Sequence, residues 1–188
     1  MKQDKPKLIF ITGGVRSGKS SFAESLASKI GEKITYIATA QALDEEMSER
    51  ITEHRKRRPK NWQTYEEPYQ VEKIIQEIGH KTDVILIDCL TLLVSNLMSD
   101  CPDEQSRKNL SSKIKVKINV IVNEALKCQA SVIMVSNEVG LGLVPTNITG
   151  RFFRDILGQA NQAIALNADR VYLMVAGIPM LIKGKRDG

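Results

Sequence analysis

The feature that most constrains the fold is an eight-residue loop near the N-terminus, Gly13-Gly14-Val15-Arg16-Ser17-Gly18-Lys19-Ser20. It matches G-x-x-x-x-G-K-[ST], and its flanks matter as much as the pattern. Leu8 to Thr12 before it is a short apolar run of strand formers. Ser20 to Ile30 after it sets Phe22, Leu26 and Ile30 four residues apart, one face of a helix that stops at Gly31. A glycine-rich turn between a buried strand and a helix lets backbone N–H groups converge on phosphate oxygens at the positive end of the helix dipole. In that context Lys19 is expected to reach the β- and γ-phosphates of a triphosphate, and the Ser20 hydroxyl to bind Mg²⁺. A loop that merely joins two elements is the alternative, and the full pattern in its proper setting argues against it.

The rest of the chain keeps the same alternation. Ile34 to Ala38, Val84 to Asp88, Ser131 to Val135 and Val171 to Val175 read as strands, and Ala176-Gly177 turns the chain into a short final strand, Pro179 to Ile182. Helices are expected over Asp44 to Lys56, which is polar and exposed and ends at Pro59, and over Val71 to Ile78 and Arg151 to Asn167. Ile114 to Leu126 fits a strand by its alternation and a helix by its four-residue stripe. Helix is preferred, because a parallel crossover must lie between the strands on either side. Between Ser99 and Ser112 the composition turns polar, which predicts a loop or irregular excursion. The class that follows is α/β: a P-loop NTPase fold with a mostly parallel central sheet, helices on both faces and a short antiparallel C-terminal edge strand. A chain of 188 residues without repeat or linker suits one nucleotide-binding domain over 1–188.

Charge narrows the partners. The formal net charge is +5, and five cations, Arg55, Lys56, Arg57, Arg58 and Lys60, fall within six residues, leaving the remainder balanced. One local anion site is the reading, not a surface that coats nucleic acid. Cys89, Cys101 and Cys128 are odd in number and share no C-x-x-C spacing, which fits a reduced, cytoplasmic setting. The richest apolar stretch, Val84 to Val94, contains Asp88 and is well short of the roughly 20 residues that span a membrane, so no membrane span is expected.

Two further groups carry chemistry. Asp88 ends an apolar strand, where a carboxylate can complete a Mg²⁺ shell beside bound phosphates; a cap or a plain polar strand end is the other reading. His54 opens the basic run His54-Arg55-Lys56-Arg57-Arg58-Pro59-Lys60-Asn61-Trp62. A neutral imidazole beside phosphate-binding guanidiniums can attack phosphorus and carry the group as a phosphoramidate. From the spacing alone, an exposed histidine with no such role is the commoner case. His80, the second histidine, sits in the polar stretch Gly79-His80-Lys81-Thr82 and reads as a loop residue.

The motifs together carry a resemblance. The phosphate loop, Ala38-Thr39-Ala40, the His54 to Trp62 run, Asp88-Cys89-Leu90-Thr91, Ser136 to Pro145 and Arg151 to Gln162 follow in order over nearly the whole chain. The set resembles the bifunctional adenosylcobinamide kinase / adenosylcobinamide-phosphate guanylyltransferase family of cobalamin biosynthesis. That resemblance implies phosphorylation of adenosylcobinamide by a nucleoside triphosphate, GTP or ATP. It then implies transfer of GMP from GTP, through a guanylylated histidine, to the cobinamide phosphate. The family's histidine falls on His54, which with Lys19 is the catalytic pair. Its nucleotide contacts fall on Gly13 to Ser20, Ala38, Thr39, Ala40, Arg55, Lys56, Arg57, Arg58, Glu66 and Asp88, and its metal side on Ser20 and Asp88. A homotrimer is implied on the same ground. Glu66 could accept from guanine N1 and N2, or be a plain surface carboxylate. Ser136 to Pro145 could shape the corrinoid side, or be a strand-to-helix loop only.

Two other functions stay open at the level of sequence. One is a single-function P-loop kinase of a small metabolite, which makes no enzyme–GMP adduct. The other is a nucleic-acid-dependent ATPase tracking a backbone with Arg55 to Lys60, which is short of stacking aromatics, since Trp62 and Tyr65 alone lie near the run.

Overall fold

Strands that bury both faces are mostly apolar, and four short runs in this chain meet that condition. In the computed structural model, which describes residues 5–99 and 107–185, they are β1 (Leu8–Gly13), β2 (Ile34–Ala38), β4 (Val84–Asp88) and β5 (Ser131–Val135). All are buried along their length except at Asp88, the half-buried end of β4. Three more strands complete the sheet: β3 (Gln63–Glu66), β6 (Arg170–Val175) and β7 (Ile178–Lys183). The order is β3-β2-β4-β5-β1-β6-β7. Every pairing is parallel except β6 with β7, the expected antiparallel edge. Ala176 (φ 49) and Gly177 (φ 84) form the two-residue turn of that hairpin, both left-handed, as a turn matching the strand twist requires.

Helices cover both faces. Helix α1 (Lys19–Ile30) packs Ala23, Leu26 and Ala27 on one side of the sheet against Ile9, Ile11, Ile133 and Leu86. On the other side lie α3 (Val71–Ile78), α4 (Leu90–Ser99), α5 (Arg107–Lys127) and α6 (Ile148–Asn167), sharing a core with Leu8, Phe10, Ile85, Ile87 and Val132. Helix α2 (Glu45–Arg57) stands apart: none of its described side chains is buried.

Three departures from the sequence reading have physical causes. The irregular excursion expected between Ser99 and Ser112 is helical from Arg107; residues 100–106, Cys101 among them, lie outside the described residues. Leu110 is buried and extends the stripe of Ile114, Ile118 and Val122 by one turn, and the polar residues around it form the solvent face. The same stripe settles the ambiguity downstream, because a strand would have buried Val116 and Val120, which are 62% and 38% exposed. Strand β3 and helix α4 were not anticipated. The first is a polar edge strand, Gln-Thr-Tyr-Glu, whose pairing to β2 is a tertiary fact. The second opens with the apolar-rich Leu-Thr-Leu-Leu-Val right after β4, so no change of composition separates the two.

Register positions the site. Glu66 pairs with Ala38, Ala38 with Asp88, Asp88 with Val135, and Val135 with Ile11. That row crosses the carboxyl ends of five parallel strands, the edge where open α/β sheets hold ligands. It brings Glu66, Ala38 and Asp88 into line with the strand that feeds the phosphate loop.

Candidate active site

The loop from Gly13 to Ser20 is shaped by close backbone approach. Gly13 has φ 150, and a β-carbon there would lie 2.5 Å from the carbonyl oxygen of Met174. Gly18, at φ 92, caps α1. The β6–β7 turn backs the loop through Gly177 N–H to the Ser17 carbonyl (3.0 Å), and Glu138 N–H donates to the Gly13 carbonyl (2.9 Å). Val15 and Arg16 face solvent, and Ser20 is half-buried. Lys19 is buried, with its ammonium on the Gly14 carbonyl at 2.6 Å. Burial pushes its pKa below the ordinary lysine value, opposed by Cys89 and Asp88 beside it. Thr12 Oγ1 and Ser17 Oγ are buried without a hydrogen-bond partner. Orphaned hydroxyls at such a loop are what an incoming polar ligand would satisfy.

Asp88 ends β4 in reach of Lys19's charge. Its Oδ2 accepts from the Tyr36 hydroxyl at 2.8 Å. The peptide after it, Asp88–Cys89, is cis. Thr39 clasps that step: its hydroxyl donates to the Cys89 carbonyl (2.7 Å) and accepts from Cys89 N–H (2.9 Å), and Thr39 N–H donates to the Asp88 carbonyl (3.2 Å). Desolvation and the neighbouring Asp88 push the Cys89 thiol up to about 12, so it is no nucleophile at neutral pH.

Helix α2 is fastened at its C-terminal root. Asp44 caps its start, accepting from Met47 N–H at 2.7 Å. At the other end the Arg58 guanidinium lies 3.4 Å from the centroid of the Tyr36 ring, Arg55 pairs with Glu66, and Trp62 is buried in the α1-side core. The Arg55–Glu66 pair is more than half exposed on both sides and contributes at most about 1 kcal/mol. The desolvated Arg58–Tyr36 contact contributes up to about 2 kcal/mol, so it is the firmer anchor. His54 is half-buried one turn before this root, and its Nδ1 is buried without a partner. It makes no hydrogen bond to the phosphate loop. Lys56 is exposed, the side chain of Arg57 lies outside what the structure describes, and Ala40 is half-buried after β2. His80 is exposed after α3.

Several polar residues near the site have no role in the sequence reading. Tyr36 is one. Asn96 on α4 is another, donating to the Thr39 carbonyl (2.8 Å) and the Pro68 carbonyl (3.1 Å). Thr91 accepts from Asn137 N–H (2.7 Å), and Asn161 on α6 donates to the Asn137 carbonyl (3.0 Å). These bonds seat the start of the β5–α6 loop beside the phosphate loop. The available signal was a lone polar side chain inside an apolar run, which satisfied buried groups share with functional ones.

Fold and phosphate loop together define a P-loop nucleotide-binding protein. The family model for cobinamide kinase / cobinamide phosphate guanyltransferase matches residues 9–182, and the chain belongs to that family. It is similar to the bifunctional adenosylcobalamin biosynthesis protein CobU of Escherichia coli K12, at 40% identity over 181 residues, covering 94% of this chain and 99% of the relative. The bifunctional adenosylcobalamin biosynthesis protein CobP of Pseudomonas aeruginosa is 42% identical over 175 residues, covering 93% and 96%. Among solved structures, a RadB recombinase aligns with TM-score 0.48 and 14% identity over 89% of this chain and 74% of its own, a likeness that says nothing about function. The chain is thus an enzyme with kinase and nucleotidyltransferase activity in cobalamin biosynthesis. Among the described residues, no helix is long and apolar enough to cross a membrane.

Proposed function

We propose that the two activities share one triphosphate site, with His54 as the guanylyl carrier. The observation that carries this reading is the chain of contacts from Asp88 through Tyr36 to Arg58, which ties the phosphate-loop side of the site to the helix bearing His54. In the kinase step the hydroxyl of adenosylcobinamide attacks the γ-phosphorus of GTP or ATP. The bond to the β,γ-bridging oxygen breaks, the nucleoside diphosphate leaves and the hydroxyl proton is released. Lys19 and the loop amides from Gly13 to Ser20 hold charge on the β- and γ-oxygens. In the second step an imidazole nitrogen of His54 attacks the α-phosphorus of GTP, and pyrophosphate leaves. A phosphate oxygen of the cobinamide phosphate then attacks the same phosphorus, the P–N bond breaks, and adenosylcobinamide-GDP forms with His54 restored. Arg55, Lys56, Arg57 and Arg58 neutralise charge on the α-phosphate and the departing pyrophosphate. Ala38, Thr39 and Ala40 line the nucleotide side, and Glu66 reads guanine N1 and N2.

Magnesium fits the donors present. Ser20 offers a hydroxyl and Asp88 a carboxylate whose Oδ2 alone is engaged by Tyr36. Among the described residues no three His, Cys, Asp or Glu gather to hold an ion by themselves. One or two protein oxygens completed by phosphates and water is the arrangement Mg²⁺ favours. Bound there, it would neutralise charge on the triphosphate. Asp88→Asn should raise the Mg²⁺ concentration needed for half-maximal activity in both steps by roughly tenfold or more. An unchanged Mg²⁺ titration would remove Asp88 from the metal side. We place the enzyme in the cytoplasm as a homo-oligomer, a trimer by its family resemblance.

The direct test is incubation with adenosylcobinamide, GTP and Mg²⁺, with products identified by mass and α-labelled GTP used to trap an acid-labile, alkali-stable protein adduct. Adenosylcobinamide phosphate, adenosylcobinamide-GDP and the adduct are all expected. Phosphate product with neither adduct nor GDP product would leave a single-function kinase.

A further inference from the structure

Strand β2, Ile-Thr-Tyr-Ile-Ala, is buried at every position, and a phenylalanine would fill the place of Tyr36 with no hydroxyl to satisfy. Tyr36 is 2% exposed, and its hydroxyl reaches the one charged group that ends a central strand. Register explains the reach. Tyr36 pairs with Leu86 and Ala38 with Asp88, so Tyr36 lies on the diagonal from Asp88 on the same face of the sheet. Of the two groups only the phenol carries a proton to give, so the Tyr36 hydroxyl donates to the carboxylate, at 2.8 Å. The ring meanwhile carries Arg58, the residue that closes α2 four positions beyond His54. Arg58 Nε is buried with no hydrogen-bond partner, and the guanidinium rests on the aromatic face.

We propose that Tyr36 is a positioning residue for both half-reactions: its hydroxyl fixes the Asp88 carboxylate beside the phosphate loop, and its ring seats Arg58 at the root of the helix that carries His54. The inference rests on the reading of Asp88 as the metal-side carboxylate and His54 as the guanylyl acceptor. A single buried side chain then sets the spacing between the end of the site that handles the γ-phosphate and the end that handles the α-phosphate. The two contacts are separable by substitution, because phenylalanine keeps the ring and loses the hydroxyl, whereas leucine loses both.

Calorimetric binding of GTP, with Mg²⁺ and with EDTA, reads the first contact. In Tyr36→Phe the Mg²⁺ concentration that half-maximally enhances GTP binding should rise about tenfold, the loss expected for one hydrogen bond to a charged group. Binding in EDTA should be unchanged. Because Tyr36 acts through Asp88, adding Tyr36→Phe to Asp88→Asn should shift the titration no further. The second contact is read from adduct formation at saturating Mg²⁺. Tyr36→Leu should form the guanylyl-enzyme at least about tenfold more slowly than Tyr36→Phe, while phosphorylating adenosylcobinamide at the same rate. A Mg²⁺ shift in Asp88→Asn with none in Tyr36→Phe, or additive shifts in the double variant, would reduce Tyr36 to core filling and overturn the inference while the metal reading stands. No shift in Asp88→Asn overturns the metal reading and this inference with it. If Tyr36→Leu does not fold, the cycle between Tyr36→Phe and Asp88→Asn still decides.

Discussion

His54→Ala should lose the enzyme–GMP adduct and all adenosylcobinamide-GDP formation, yet still accumulate adenosylcobinamide phosphate. The covalent step needs a nitrogen that attacks phosphorus and later leaves it, and alanine offers none. Cys89 is held as a thiol, and His80 lies exposed in the turn after α3. Guanylyl transfer should therefore fall roughly 10⁴-fold or more, as for other covalent nucleophiles. Direct γ-phosphoryl transfer asks only for positioning and charge neutralisation, which Lys19 and the loop amides provide, so the kinase rate should change little. Stability should change little too, because His54 is half-buried on a helix with no buried side chain among its described residues. His80→Ala is the control and should keep both activities. Single-turnover assays with α- and γ-labelled GTP separate the steps. An adduct that persists in His54→Ala, or one lost in His80→Ala, sinks the assignment. Equal loss of both reactions in His54→Ala would instead make the imidazole a triphosphate-binding or structural group.

Lys19→Ala should disable both reactions together. Its ammonium sits buried on the Gly14 carbonyl, within the field of Asp88, at a loop whose Thr12 and Ser17 hydroxyls have no partner. Removing one preorganised donor of charge stabilisation costs about 10²–10³ in rate, and both steps draw on the same bound triphosphate. The fold should survive, because in the absence of ligand Lys19 supplies a single bond to a loop carbonyl, while burial itself disfavours its charge. Thermal unfolding should accordingly stay close to that of the unaltered protein. A guanylyl-enzyme that still forms at the normal rate in Lys19→Ala would show that GTP for that step binds elsewhere.

Much of the architecture was legible because its signals are local. The loop pattern needs only its own eight residues and the flanking strand and helix, and the buried central strands announce themselves as short, mostly apolar runs. The C-terminal hairpin was readable from Ala176-Gly177 between two strand-forming runs. What stayed hidden has no local signature. Strand β3 is polar, and becomes a strand because β2 offers it a free edge. The first turn of α5 looks like loop until Leu110 is seen to point into the core.

The candidate site divides the same way. The sequence by itself determined the phosphate loop, the strand order of apolar and polar segments along the chain, the carboxylate at the end of β4 and the basic run around His54. Each is a matter of residue type and spacing within a few positions. Only the tertiary structure decided that Glu66, Ala38 and Asp88 share one register row, that Arg58 rests on Tyr36 and Tyr36 on Asp88, and that Thr39 clasps the step after Asp88. Those pairs are separated by 22 to 52 positions in the chain. Nothing local distinguishes a tyrosine that will meet a carboxylate from one that will merely fill space. The distinction comes from which strands the sheet sets side by side, and that is fixed by burying all of them at once.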